Sequence, residues 1–297
     1  MRLRATVAAV SGALALSAFV VPAAQAADGG ASAHRADLAK VLLQHAASGK
    51  AGVAASPAEG DLDVTFSHFK IAKAIKVGTT NKVAVPVSYT LTHGADVDID
   101  ADGFLSVPLI YHGSSVTPDN AAGGDAPGVC VATTKTTADC KGTIVLDPRE
   151  TDADLKLRNT QAGTWHGAGV ALDIDSEKEV VQVDGLGTTL VQRNSTLTVN
   201  AAPEPVKKGK TLTVTGKLSR ANWEDHKYHG YTGQSVKLQF RKKGSSTYTT
   251  LKTVKSDSTG ALKTTAKATV DGYYRFSFAG TTTTPAVSAA GDFVDVK

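Results

Sequence analysis

Val236-Lys237-Leu238-Gln239-Phe240-Arg241 and Tyr273-Tyr274-Arg275-Phe276-Ser277-Phe278 place an apolar side chain at every second position. A period of two lines one face of an extended strand, whereas an amphipathic helix repeats its apolar face every three or four residues. The same grammar returns on either side: Leu197 and Val199; Leu212, Val214 and Leu218; Leu262, Thr264, Ala266 and Ala268; Val294 and Val296. With Tyr248 to Val254 added, the region holds seven short strands at roughly ten-residue spacing. Asp257-Ser258-Thr259-Gly260 and Asp271-Gly272 read as turns between them. Strands with one apolar face must bury it against a second sheet, so residues 194–297 are expected to form an Ig-like β-sandwich.

Upstream, Val83, Val85, Val87, Tyr89 and Leu91 alternate in the same way within Lys82 to Thr92. Pro86 has no ladder donor, which predicts an edge position or a bulge there. Phe104 to Tyr111, Val129 to Ala132, Thr143 to Leu146, Thr164 to Ile174 and Leu186 to Val191 complete a second set of strands over 61–193. Trp165 falls on the opposite parity from Val170, Leu172 and Ile174, which predicts a bulge at Gly167 or Gly169. The fold class is therefore all-β, two tandem Ig-like β-sandwich domains. The 28 glycines, the low aromatic content of 6% and a single methionine suit a loop-rich β protein.

Arg2 and Arg4, the apolar stretch Val7 to Val21 and the exit Ala24-Gln25-Ala26 read as a cleavable signal peptide over 1–26, with Ala27 as the mature start. Export without a membrane span is expected, because that stretch is shorter than a spanning helix. Residues 27–60 are rich in Ala, Gly and Ser, with Leu38, Val41, Leu42 and His45 at helical spacing. In an oxidising compartment, Cys130 and Cys140, the two cysteines of the chain, are expected to be bridged and to pin a hairpin loop.

The run Leu197 to Gly216, Val236 to Arg241, Asp271 to Arg275 and the closing Gly291-Asp292-Phe293-Val294-Asp295-Val296 resembles the C-terminal module of secreted actinobacterial Ig-like proteins. Many of these carry loose labels such as calcium-binding protein. The resemblance implies an extracellular β-sandwich and brings no catalytic or ligand residues with it. Asn159-Thr160-Gln161-Ala162-Gly163-Thr164-Trp165 also resembles the turn and strand that close many bacterial Ig-like sandwiches.

Three patterns could carry chemistry. Asp96, Asp98, Asp100 and Asp102, followed by Gly103, offer oxygen ligands of the kind calcium takes. Leu109 stands where an EF-hand would need its bidentate acid, so any site would be a weak extracellular loop. The competing reading is an edge strand with Val97 and Ile99 inward and the acids solvated. His226 and His229, near Trp223, Glu224, Asp225, Tyr228 and Tyr231, could grip a sugar or zinc. A catalytic reading finds no Gly-x-Ser-x-Gly elbow, no His-Glu-x-x-His pair and no phosphate loop, so no enzyme is expected.

Charge separates along the chain. Glu59 to Arg193 holds 19 acids against 11 bases, whereas Asn194 to Lys297 holds 7 against 16. Lys237, Arg241, Lys242, Lys243, Lys263, Lys267 and Arg275 fall mainly on outward strand positions and predict a basic sheet. Such a sheet attracts polyanions. Outside a Gram-positive-type cell the expected partner is an anionic wall polymer or an extracellular protein, and nucleic acid is not expected.

Overall fold

The computed structural model describes residues 62–297 apart from Asp154. The signal segment and the helical pattern at Leu38 to His45 lie outside the described residues. In chain order the first ten strands are β1 (Val64–Lys70), β2 (Ala74–Val77), β3 (Val83–His93), β4 (Phe104–His112), β5 (Ala121–Ala122), β6 (Val129–Thr134), β7 (Thr137–Leu146), β8 (Gly163–Asp173), β9 (Lys178–Gln182) and β10 (Thr188–Arg193). They form two sheets, β1-β3-β7-β6 and β2-β10-β8-β4-β5, with β9 alongside β8. Inward residues of both, among them Val85, Val87, Tyr89, Leu91, Ile144, Ile110, Trp165 and Val191, make one core.

The second set is β11 (Ser195–Leu197), β12 (Asn200–Ala202), β13 (Thr211–Asn222), β14 (Lys227–Gly230), β15 (Ser235–Lys242), β16 (Thr249–Lys255), β17 (Ala261–Lys267), β18 (Gly272–Phe278), β19 (Val287–Ser288) and β20 (Asp292–Val294). In one sheet β13 is the hub, pairing β11, β12, β14 and β17. The other runs β16-β15-β18, with β19 and β20 beyond. Leu212, Val214, Leu218, Val236, Leu238, Leu262, Tyr274, Phe276 and Val294 fill the space between them, as the period-two pattern requires. The described residues are thus all-β, built of Ig-like sandwiches.

Pro86 sits inside a central strand, since β3 lies between β1 and β7. The last β1 pair is Lys70 with Ser88, so β1 has ended before Pro86 and no donor is missed. The bulge predicted at Gly167 or Gly169 does not form, because β4 and β8 pair without a slip from Phe104–Asp173 to His112–Trp165. Both faces of β8 are instead apolar: Trp165 and Ala171 join the main core, while Ala168 and Val170 join a second cluster on the outer side. That cluster includes Val107, Leu109, Val116 and Ala121. Val116 belongs to the loop after β4 and Ala121 to the short strand β5 that closes it, so this loop and strand are a lid over the sheet.

That loop is fixed in place by Asn120. Its side-chain oxygen accepts from the Thr117 amide at 2.8 Å and its nitrogen donates to the Ser115 carbonyl at 2.8 Å. Between β3 and β4, Asp96 to Asp102 form turns rather than the edge strand expected as the competing reading. Val97 is nevertheless buried and Ile99 packs on the core, so the inward assignment of those two side chains holds.

Candidate functional site

The inward parity of the β16-β15-β18 sheet dictates what its outer face carries. With Val236, Leu238 and Phe240 inward on β15, Lys237, Gln239 and Arg241 point out; with Tyr274, Phe276 and Phe278 inward on β18, Tyr273, Arg275 and Ser277 do. The register sets Lys237 beside Ser277, Gln239 beside Arg275 and Arg241 beside Tyr273, while Phe293 of β20 lies beside Tyr273. Tyr248, at the entrance to β16, leans over this face.

A continuous chain of cations and rings results. The Arg275 guanidinium lies 3.7 Å from the Tyr248 ring centre, and Arg241 lies 5.3 Å from the same ring and 4.1 Å from Tyr273. Tyr273 and Phe293 are 5.2 Å apart, and the Lys243 ammonium stands 5.4 Å from Phe293. Each such cation–ring contact contributes about 0.5–1 kcal/mol at an exposed site, enough to hold a guanidinium in place without neutralising it. Arg275 Nε donates to Gln239 Oε1 at 2.9 Å, and Arg241 Nη1 donates to the Ser245 carbonyl at 2.5 Å. A guanidinium has five N–H donors, so each keeps others for a ligand. At Gly291 a Cβ would collide with the Tyr248 hydroxyl, which gives that glycine a role in seating the ring.

Acids near this face are already engaged. Asp271 accepts from the Val296 amide at 2.9 Å and lies 3.5 Å from Lys243. That amide first, and then the lysine, hold its carboxyl below the usual range. Asp292 accepts from the Ala201 amide at 2.6 Å.

The seven basic residues named from the sequence do not share one face. Lys237, Arg241 and Arg275 stand on the outer face just described, with Lys243 at its rim. Lys242 has the parity of Phe240 and ends its strand opposite Gly272. Lys263 and Lys267 lie on β17 in the other sheet, paired with Thr215 and Thr211, and so belong to the opposite side of the sandwich. Outward parity tells in from out but not one sheet from the other, which is why the sequence pooled them. Tyr248, Tyr273 and Phe293 escaped notice as surface groups. The available signal was that Tyr273 and Phe293 are sequence neighbours of the inward Tyr274 and Val294.

Asp63 and Asp175 come to the two ends of the Asp96 to Asp102 loop. The carboxylates of Asp63 and Asp96 both crowd the position a Cβ would take at Gly94, and that of Asp175 does so at Gly103. Within the loop, Asp98 Oδ1 accepts from the Asp100 amide at 3.0 Å. Among the described residues no three His, Cys, Asp or Glu side chains gather closely enough to hold a metal ion. Cys130 and Cys140 are bridged, directly opposite each other on β6 and β7.

The histidine-bearing loop has a structural task. Trp223 is fully buried in the core of the first sandwich, not displayed to solvent. His229 Nε2 lies 2.5 Å from Asp225 Oδ2 beside it.

No family model and no curated protein matches the chain. Among solved structures it is similar to the D0-D1 domain of intimin, at 15% identity and a TM-score of 0.25, over 77% of this chain and 98% of that one. It is similar to the D00-D0 domain of intimin at 12% identity and a TM-score of 0.26, over 77% and 99%. A third, the Yersinia pseudotuberculosis adhesin InvE, matches at 13% identity and a TM-score of 0.26, over 80% of this chain and 61% of the other. No helix among the described residues is long and apolar enough to cross a membrane.

Proposed function

We propose that this is a secreted, non-enzymatic interaction module of the cell surface or matrix, and that it holds an anionic wall polymer on the outer face of the β16-β15-β18 sheet. The supporting observation is the Arg275-Tyr248-Arg241-Tyr273-Phe293-Lys243 chain. Rings hold two guanidiniums ready for phosphate or carboxylate, and charge-assisted hydrogen bonds of this type are roughly twice as strong as neutral ones. The excess of bases over acids from Asn194 onward would steer a polyanion towards this half of the chain.

Binding to a purified wall fraction tests the reading. It should fall steeply as salt rises. The double variant Arg241→Ala, Arg275→Ala should weaken it about tenfold or more, a loss of about 1.4 kcal/mol. Lys263→Ala with Lys267→Ala, on the opposite sheet, should change it far less. Salt-indifferent binding, or equal losses from the two faces, would remove the proposal.

A second reading keeps the acidic end as a weak extracellular calcium site using Asp96, Asp98, Asp100 and Asp102. It is favoured by the approach of Asp63 and Asp175 to either end of the same loop.

A further inference from the structure

Strand β6 ends the β1-β3-β7-β6 sheet, and from Val129 to Ala132 it is regular and uncharged, its one register shift against β7 falling beyond that, between Ala132 and Thr134. Its sequence, Val129-Cys130-Val131-Ala132-Thr133-Thr134, has no charge and no proline. Val129 and Val131 are 72% and 66% exposed, the highest values for large apolar side chains among the described residues. Elsewhere, β16 carries Lys252 and Lys255, and β1 is broken by a register shift between Ser67 and Lys70. Lysines and irregularities of that kind stop edges from pairing with other chains.

The disulfide shows which backbone groups of β6 are unused. Cys130 and Cys140 face each other with Cα atoms 4.0 Å apart, the narrow spacing of a non-hydrogen-bonded antiparallel pair. Val129 and Val131 therefore turn their amides and carbonyls towards β7, and Cys130 and Ala132 turn theirs outward. The bridge also clamps this edge onto β7, so that it is already extended before anything joins it.

We infer that β6 is a self-association edge, pairing antiparallel with β6 of a second copy about a two-fold axis at Cys130. This register sets the Cys130 amide against the Cys130 carbonyl of the second copy, and the converse. Of the next pair along, the Ala132 amide can reach the Gly128 carbonyl of the other chain, while the Gly128 amide stays with Ser106 of its own chain. Val129 then lies opposite Val131 of the second copy, twice by symmetry, covering the exposed apolar groups. Lys135, exposed in the β6–β7 turn, is brought towards exposed Asp125 of the other copy, again twice. Opposite charges at both ends of a neutral strand favour this register and a second copy of the chain as the occupant. The closed two-fold leaves each copy's C-terminal sheet free.

Sedimentation equilibrium of the purified chain across micromolar to millimolar concentration tests this. Reversible monomer–dimer behaviour is expected. Ala132→Pro removes an outward amide without touching the ladder to β7 and should weaken the dimer at least about tenfold. Val131→Lys, at a solvent-facing position that cannot disturb the core, should do the same if the proline variant folds poorly. Lys135→Asp and Asp125→Lys should each weaken association, and their combination should restore it. A chain that stays monomeric throughout, one that binds an added extended peptide at this edge without pairing with itself, or a double charge swap that fails to rescue would overturn the inference.

Discussion

Trp223 Nε1 donates to the carbonyl oxygen of Val77 at 3.2 Å, a hydrogen bond from the β13–β14 turn of one sandwich into the core of the other. The same carbonyl accepts from the Asn194 amide at 2.8 Å. Asn194 is the one residue between β10 and β11, so there is no free linker. Arg193 Nε, buried at the joint, donates to the Ala221 carbonyl at 2.6 Å. Burial, with the nearby Arg220 charge second, pushes this guanidinium down to about 10. Asn159 completes the joint by accepting from the Trp223 amide at 3.1 Å and donating to Asn222 at 2.6 Å. The two halves are therefore joined through a packed indole rather than a tether.

Replacing Trp223 with Ala should cost about 3–5 kcal/mol, the usual range for emptying a large buried aromatic site. Trp223→Phe should cost less, since a ring still fills most of the site and the Val77 carbonyl, though it loses the indole donor, keeps its bond from Asn194. Urea unfolding of the full chain measures both. The alanine variant is expected to split one transition into two as the sandwiches uncouple, and equal losses for the two variants would contradict the packing account.

Gly169 owes its identity to Phe66. A Cβ at Gly169 would stand 2.5 Å from Cδ1 of the Phe66 ring, and that ring is fully buried. Gly169→Ala must therefore shift a packed aromatic, at about 1–3 kcal/mol of overpacking strain. Gly169→Ala combined with Phe66→Leu should recover part of the loss, which thermal unfolding of the three variants would show.

These two residues mark where the sequence was readable and where it was not. Burial with a period of two is local, so Leu212, Val236, Tyr274 and their neighbours declared their faces directly. The parity argument failed at Trp165 because it assumes one wet face, whereas β8 has a lid of chain on its outer side. Nothing local to Trp223 says that its strand will run past its own core into the next one. The cation–ring chain was half legible: Arg241 and Arg275 were visible as outward charges, but the lean of Tyr248 depends on a hairpin whose geometry no pattern encodes. The acids of the Asp96 to Asp102 run were legible as a cluster, yet their failure to converge on a point follows from turns that period-two reasoning does not describe.

Acid should destabilise the protein through carboxylates held below their ordinary value of 3.8, Asp173, Asp257 and Asp271 among them. The Ser176 hydroxyl does this to Asp173, the Thr259 hydroxyl to Asp257, and the Val296 amide to Asp271. A folded-state pKa lower than the unfolded one means the unfolded chain binds more protons in between, so stability rises with pH there. The contribution is complete above about pH 4 and is lost as pH falls through the depressed values. Melting temperatures recorded from pH 6 to pH 2 should stay level and then drop below about pH 4. In Asp271→Asn the drop should be shallower, and an unchanged acid limb would show that this carboxylate is not among its causes.

Calcium should act only weakly at the acidic end. Four carboxylates spaced two apart repel one another, and a cation that drew them together would gain favourable charge pairing. Against this, no three of the described acids stand close enough to hold an ion, so although Asp98 keeps lone pairs beyond the one that accepts from the Asp100 amide, the others must move towards it. Pre-formed calcium loops reach micromolar affinity or better, while sites that must rearrange fall in the range of about 10⁻⁴–10⁻³ M found for extracellular modules. Calorimetric titration should therefore show no saturable heat at about 10 µM calcium and, at most, a weak millimolar response. Any such response should vanish in the double variant Asp98→Ala, Asp100→Ala. A strong signal at micromolar calcium would mean that the loop closes around the ion into a geometry different from the turns it adopts here.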